Sequence, residues 1–326
     1  MLIEEYKKNI KELLLGYTFR DNDSSEMRAR VLGKIQYDGP FVRLFQYRTP
    51  NPDVIECLKC GELYYSSPNR FNDPYDSLMR WDEQILSRYF QNDKYRYVLC
   101  RHAIYDSKTL AASIRNRFRV SCFSEVPDSP LMWAHYAMNG AGFCAEYELC
   151  PTHGCLMCLR DGDLCEEGRN DNCHKKTCGS VCKRSLLPVV YTSVRPDATA
   201  AMMIEIEHAV AQEEGKGLDL SEYDWLEPYR TTLIKSEDWS YEREWRLILS
   251  DNKLRLDQEC RYPSVDLVRV ILGPSMNPKD EFYVTVAAGE YAKSVKRDIE
   301  LSKLYVDVQS ADYKFSIRHE CMLRGT

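Results

Sequence analysis

Between positions 150 and 182 the chain concentrates seven of its fourteen cysteines, Cys150, Cys155, Cys158, Cys165, Cys173, Cys178 and Cys182, with His153 and His174 among them. So few apolar side chains accompany them that the segment cannot bury a core of its own, and metal binding is the natural source of its folding free energy. Cys155-Leu-Met-Cys158 has the spacing that turns two thiolates toward one tetrahedral ion, and Cys178-Gly-Ser-Val-Cys182 supplies a second pair. The expectation is a structural zinc ion held by Cys155, Cys158, Cys178 and Cys182, with Cys165 or Cys173 able to replace a member of the second pair. A redox reading of the Cys-x-x-Cys lacks the strand-to-helix setting that lowers a thiol pKa. The insert divides the chain into an N-terminal helix and linker at 1–40, one α+β domain made of 41–149 and 183–320, and the insert itself at 150–182.

Composition narrows the setting. The N-terminus lacks a secretory apolar run and no stretch approaches the ~18 apolar residues that span a bilayer, so a cytoplasmic chain without a membrane partner is expected. Cysteines in such a chain are thiols or metal ligands rather than a disulfide framework. A net charge of −6 gives no general attraction to nucleic acid. Lys94, Arg96, Arg101, Lys108, Arg115, Arg117 and Arg119 crowd one helical stretch, which reads as a solvated helix face.

Residues 2–15 carry apolar side chains at helical spacing, and Gly16 stops the pattern. Phe41 to Tyr47 alternates as a strand, Pro50 to Cys60 is a short helix ended by Gly61, and a second strand runs from Leu63 to Ser66. The segment from Ser67 to Asp76 is too rich in Pro, Asn and Asp for regular structure and must be a fixed loop. Helices are expected at 82–102, 107–116, 129–137, 197–213 and 222–235, with another begun by Asn277-Pro278. Strands are expected at 118–123, 141–148, 188–191, 245–249, 267–272, 304–308 and 313–318. Strands and helices mix without regular βαβ alternation, and neither G-x-G-x-x-G nor a phosphate loop occurs. The fold class is therefore α+β: a mixed, mostly antiparallel central sheet flanked by helices, with a cysteine-rich insert.

Three blocks hold more polar and aromatic residues than strands and helix ends need. The first joins Phe45-Gln-Tyr-Arg48 to Phe71-Asn-Asp-Pro-Tyr-Asp76. The second runs Ser121-Cys-Phe-Ser-Glu125, Leu131-Met-Trp-Ala-His-Tyr136 and Gly142-Phe-Cys-Ala-Glu146, and the third is Trp239-Ser-Tyr-Glu-Arg-Glu-Trp-Arg246. In this order the blocks resemble the bacterial family catalogued as domain of unknown function 2971, over about residues 41–320. The chain departs from that pattern at Gly140, where a histidine is expected, and in the length of its insert.

If 241–249 is extended, Glu242, Glu244 and Arg246 project from one face, and two like charges there need a partner or a ligand. The structural alternative is that one of the acids pairs with Arg246 or Arg48 and fastens strands together. The functional reading is a nucleotide-handling enzyme. An arginine ending the first strand, a serine-bearing strand and a late Glu-x-Glu strand are similar to the Arg, Ser, Glu order of ADP-ribosyl transferases, which use NAD. That similarity implies Glu244 beside the ribose, where it stabilises an oxocarbenium-like state, and Glu242 orienting or deprotonating the acceptor. Arg48 holds the diphosphate, Ser121 or Ser124 braces Glu244, and Tyr47, Trp133 or Tyr136 form stacking walls. Asn72 and Asp73 complete the site from the loop, and His135 is a further candidate base. Trp133 and Tyr136 also suit a core, and Asp73 beside Pro74 suits a turn.

Such a transferase needs a cleft in which Arg48 and Glu244 face one another across a nucleotide-sized space, and side chains on opposite sides of the sheet would count against it. The acceptor can be a macromolecule or a small molecule, and bacterial conflict or defence is the expected setting. Two other classes compete: a metal-dependent hydrolase or nuclease, with Asp73, Asp76, His135, Glu242 and Glu244 around a divalent ion, and a non-catalytic sensor that uses the insert as its contact surface.

Overall fold

The computed structural model describes residues 2–16, 37, 40–78, 80–116, 118–149, 186–216, 227–250, 261–263 and 267–326. The zinc expectation for Cys155, Cys158, Cys178 and Cys182 lies outside the described residues.

Helix α1 (Ile3–Leu15) buries Tyr6, Ile10, Leu13 and Leu14 along one stripe. Strand β1 (Val42–Arg48) leads to α2 (Pro52–Cys60), whose first turn is capped by the Asn51 side chain and whose end turns left-handed at Gly61, φ 66°. A side chain at Gly61 would run into the Tyr291 ring, so the residue serves both turn and packing. After β2 (Glu62–Tyr64), the stretch expected as one helix divides into α3 (Glu83–Phe90) and α4 (Lys94–Tyr105). Asp93 accepts a hydrogen bond from the Arg96 amide and starts a new helix there. Next come α5 (Ser107–Asn116), β3 (Phe118–Ser124), α6 (Pro130–Tyr136), β4 (Phe143–Leu149), β5 (Leu186–Pro188), β6 (Val190–Thr192) and α7 (Thr199–Glu213). Helix α8 (Glu227–Leu233) passes directly into β7 (Ile234–Ser236), where the sequence pattern extends the helix to 235. The chain ends with β8 (Glu244–Ser250), β9 (Arg261–Pro263), β10 (Leu267–Leu272), α9 (Pro278–Val295), β11 (Ile299–Val306) and β12 (Phe315–Leu323). The last two strands start earlier or run longer than the expected 304–308 and 313–318 because they pair with each other along their whole length.

Eight strands form one sheet in the order β12-β11-β10-β4-β1-β3-β8-β5. Within it only β10 and β11 are parallel, so the fold is α+β with a mostly antiparallel sheet. One core lies where Leu44, Tyr147, Val270 and Leu301 meet α1, α2 and α9. A smaller one joins Phe45, Tyr47, Cys144 and Ile271 to α6. The six cysteines of the described residues are free thiols, as the sequence leads one to expect. The basic stretch is partly consumed within the fold: Arg96 pairs with Asp93 and Glu207, and Arg115 donates to the Pro68 carbonyl. No helix among the described residues is long and apolar enough to cross a membrane.

Candidate functional site

The sheet is open at its middle. Strand β3 pairs with β8 along all seven of its residues, but it meets β1 at one register pair, Phe45 with Ser124. Farther out, Val120 is bridged by Ser66 instead. Across the gap reaches the Gln46 side chain, whose Nε2 donates to Ser121 Oγ at 2.9 Å and to the Cys122 carbonyl at 3.3 Å. A cavity of about 520 Å³ occupies this opening. Strand alternation sets Gln46, Arg48 and Ser121 on one face and Tyr47, Cys122 and Glu244 on the other, yet all six line the cavity. Arg48 and Glu244 therefore do not face each other across one side of the sheet, which corrects the arrangement expected from sequence. They share a cavity because the sheet is split between them.

On the Glu244 side sits a buried ionic cluster. The chain reaches it through a 3₁₀ turn, Glu237–Glu242, followed by Arg243 in a left-handed conformation at φ 45° and ψ 53°. The strand expected at 245–249 is present as Glu244–Ser250, but the extended conformation supposed for 241–249 is not met before Glu244: Glu244 and Arg246 share a strand face, while Glu242 is delivered by the turn before it. Between the acids lies Lys235, whose Nζ is 2.6 Å from Glu242, 3.2 Å from Glu244 and 3.5 Å from Asp76. Arg246 forks twice, with Nε on Glu244 Oε1 at 2.8 Å, Nη2 on Glu244 Oε2 at 2.9 Å, and both Nη atoms on Asp76. Its Nη1 also donates to the Thr232 carbonyl at 2.6 Å, so every guanidinium nitrogen has a partner. Glu244 thus pairs with Arg246, as in the structural alternative, but along one strand; the links to other segments run from Arg246 to Asp76 and the Thr232 carbonyl and from Glu244 to Lys235.

The two glutamates are tuned in opposite directions. Burial opposes the charge on Glu244, but the Arg246 and Lys235 cations overcome it and hold its carboxyl at about 2. For Glu242, burial and the neighbouring Glu244 charge push the pKa up, against the pull of Lys235. Lys235 stays a cation: burial disfavours its charge, and Glu244, Asp76 and Glu242 together more than restore it. An ammonium thus holds the centre among the carboxylates, the place a divalent ion would need in the hydrolase reading. Among the described residues, no group of three His, Cys, Asp or Glu side chains is set to hold a metal ion.

Several of the other residues singled out by sequence reach the cavity. Tyr136 donates to Glu242 Oε1 at 2.5 Å, and Asn72 Nδ2 donates to the Tyr136 hydroxyl at 3.1 Å. Ser124 donates to the Glu242 backbone carbonyl at 2.6 Å, so it braces Glu242 rather than Glu244. His135 is exposed at the cavity beside Tyr241 and Trp239, and Tyr47 lines it with its hydroxyl bound to the Val126 carbonyl. Trp133 is 1% exposed in the smaller core, with its indole NH on the Pro127 carbonyl; it supports Tyr47 edge-on and is not a cavity wall. Asp73 is likewise absent from the wall, since its carboxylate caps the Tyr75 amide at 2.8 Å and builds the loop. Gly140, at φ 84°, occupies a conformation that a histidine would adopt only under strain.

Arg48 differs from the other cations. Burial draws its pKa down, against Tyr147 and Cys57, and it has no hydrogen bond or ion pair among the described residues. Arg70 lines the same cavity, with Nη1 on the Tyr64 hydroxyl at 3.1 Å. Sequence reasoning missed Lys235 as a site residue. Its one signal is a lysine breaking the apolar run of Leu233 and Ile234, a position that buries a charge only where carboxylates converge.

These features define an α+β protein with a ligand-sized opening in its sheet, basic at one side and acidic at the other. Residues 132–247, roughly a third of the chain, match the profile of a family described as a protein of unknown function (DUF2971), which bears out the resemblance over the later blocks. No curated protein and no solved structure matches the chain. The likeness to ADP-ribosyl transferases rests on motif chemistry alone.

Proposed function

We propose that the chain is a nucleotide-handling enzyme that binds NAD in the opening of the sheet; because Arg48 and Glu244 stand on opposite strand faces, transfer of an ADP-ribosyl group would have to use Glu242, delivered by the turn before the strand, as the acting carboxylate. The observation that carries this reading is the shared cavity: a guanidinium with no hydrogen-bond or ion-pair partner among the described residues on one side, an acidic pair on the other, and about 520 Å³ between their elements, a volume typical of small-molecule sites. Arg48 would hold the diphosphate, assisted by Arg70 at the rim. Phe71 and Tyr136 supply aromatic surface for a base or nicotinamide ring.

Glu242, whose pKa is raised by burial and by the Glu244 charge, is the better choice than Glu244, which Arg246 and Lys235 hold ionised, although both Glu242 oxygens already accept from Tyr136 and Lys235. Its carboxylate would stabilise positive charge on the ribose as the C–N bond breaks and nicotinamide leaves with the electron pair. The acceptor's nucleophile then adds at the ribose carbon, and its proton passes to Glu242. Glu244, Lys235 and Tyr136 position that group.

The test is incubation with labelled NAD, with and without cell extract, beside Glu242→Gln and Glu244→Gln. Nicotinamide release that Glu242→Gln abolishes supports the assignment. Binding without release, in every preparation, favours a non-catalytic sensor, a reading that the full pairing of Glu244 also suits. For the cysteine-rich insert the proposal remains a structural zinc on Cys155, Cys158, Cys178 and Cys182, for which metal analysis of the purified chain should return about one zinc per molecule.

A further inference from the structure

A second cavity of about 520 Å³ lies beyond Glu244, between α1, the β5–β6 segment and the turn at Arg243. Glu244 borders both cavities. The acceptors in the second cavity are already engaged. Lys7 pairs with Glu4 at 3.0 Å and with Glu125, and the Trp245 indole NH donates to Glu125 at 2.8 Å. The donors are not. Lys11 and Arg243, both exposed, have no side-chain partner among the described residues. Tyr191 accepts the Glu244 amide at 2.9 Å, which leaves its hydroxyl proton free to donate. Pro188, Val190 and Trp245 border it as well, but all three are buried, with Val190 4% and Trp245 1% exposed.

We infer that this cavity is a second binding site, for a small molecule that carries an oxyanion. A carboxylate or phosphate would take hydrogen bonds from the Lys11 and Arg243 cations and from the Tyr191 hydroxyl, close to the Trp245 indole bound to Glu125. The left-handed backbone at Arg243 fits this role, since the turn that sets Glu242 in one cavity presents the intervening guanidinium to the other. Occupancy would reach the first cavity through the Tyr191 bond to the Glu244 amide. The site does not depend on NAD chemistry, so it stands or falls separately.

The test follows the indole NH signals of the five tryptophans by NMR, with Trp245 assigned by Trp245→Phe, during titration with phenyl phosphate and with benzoate. Saturable movement of the Trp245 signal, with Trp133 unmoved, is the expected result. Lys11→Gln with Arg243→Asn, where asparagine tolerates the left-handed backbone, should weaken it at least tenfold while the rest of the spectrum is kept. Response to phenyl phosphate alone identifies a phosphate ester, and response to benzoate alone a carboxylate. A Trp245 signal that moves with neither probe, or equally in the double variant, overturns the inference.

Discussion

Replacing Lys235 by methionine tests the ionic cluster at its centre. The side chain is 6% exposed and its ammonium lies 2.6, 3.2 and 3.5 Å from three carboxylates, of which Arg246 alone would then remain to compensate two. Breaking a buried ion pair by removing one partner costs about 3–5 kcal/mol, because the other charge is left without compensation. For a chain of this size that corresponds to a fall in Tm on the order of 10 °C. The deficit should depend on pH. Loss of the cation raises the folded-state pKa of Glu242 and Glu244, and a carboxylate with a raised folded pKa favours folding at low pH and penalises it as pH rises. Urea unfolding of Lys235→Met should therefore show a larger deficit at pH 8 than at pH 5. Adding Glu242→Gln should recover part of the loss, with a coupling of about 1–3 kcal/mol between the two sites. Equal deficits at both pH values, or strict additivity, would refute the three-carboxylate account.

Three further outcomes follow from the same geometry. The carboxyl of Glu244, held at about 2 rather than the usual 4.5, contributes stability that is complete above pH ~4.5 and is lost as pH falls toward 2; acid titration of Glu244→Gln should show a flatter decline than the parent in that window. Gly140→Ala should lower stability by about 1–2 kcal/mol in thermal unfolding, because φ 84° is unfavourable for any side chain. Trp133→Phe should cost roughly 1–2 kcal/mol of stability through its lost indole bond and packing, while ligand affinity at the cavity changes less than threefold by calorimetry.

Local signals carried much of the architecture. Asn51 and Asn277 announce helix starts through their caps, Gly61 a left-handed stop, and the β-branched apolar run from Leu267 to Leu272 a strand. The division at Asp93 was legible in principle as a cap, but the helical pattern on either side hid it. At the site, Glu242, Glu244, Tyr136, Asn72 and Ser124 stand out in sequence as polar residues in aromatic blocks, and they do converge. Two features escape a one-dimensional reading. A non-glycine residue such as Arg243 gives no sign that it will turn left-handed, so the sequence does not show that Glu242 precedes the strand in a turn. The gap between β1 and β3 arises from pairing among distant segments, Ser66 with Val120 and Phe45 with Ser124, and no local pattern encodes it. Trp133 misleads for the opposite reason: a tryptophan one turn from Tyr136 looks equally suited to a core or a pocket until packing decides.

The central claim is that the opening in the sheet receives a nucleotide through Arg48. Calorimetric titration with NAD measures this most directly, using wild type, Arg48→Gln and the remote Lys11→Gln. Saturable binding is predicted, weakened at least tenfold by Arg48→Gln with no loss of thermal stability, since that guanidinium has no ion-pair partner among the described residues, and left unchanged by Lys11→Gln. Absence of binding, or equal affinity in wild type and Arg48→Gln, would contradict it.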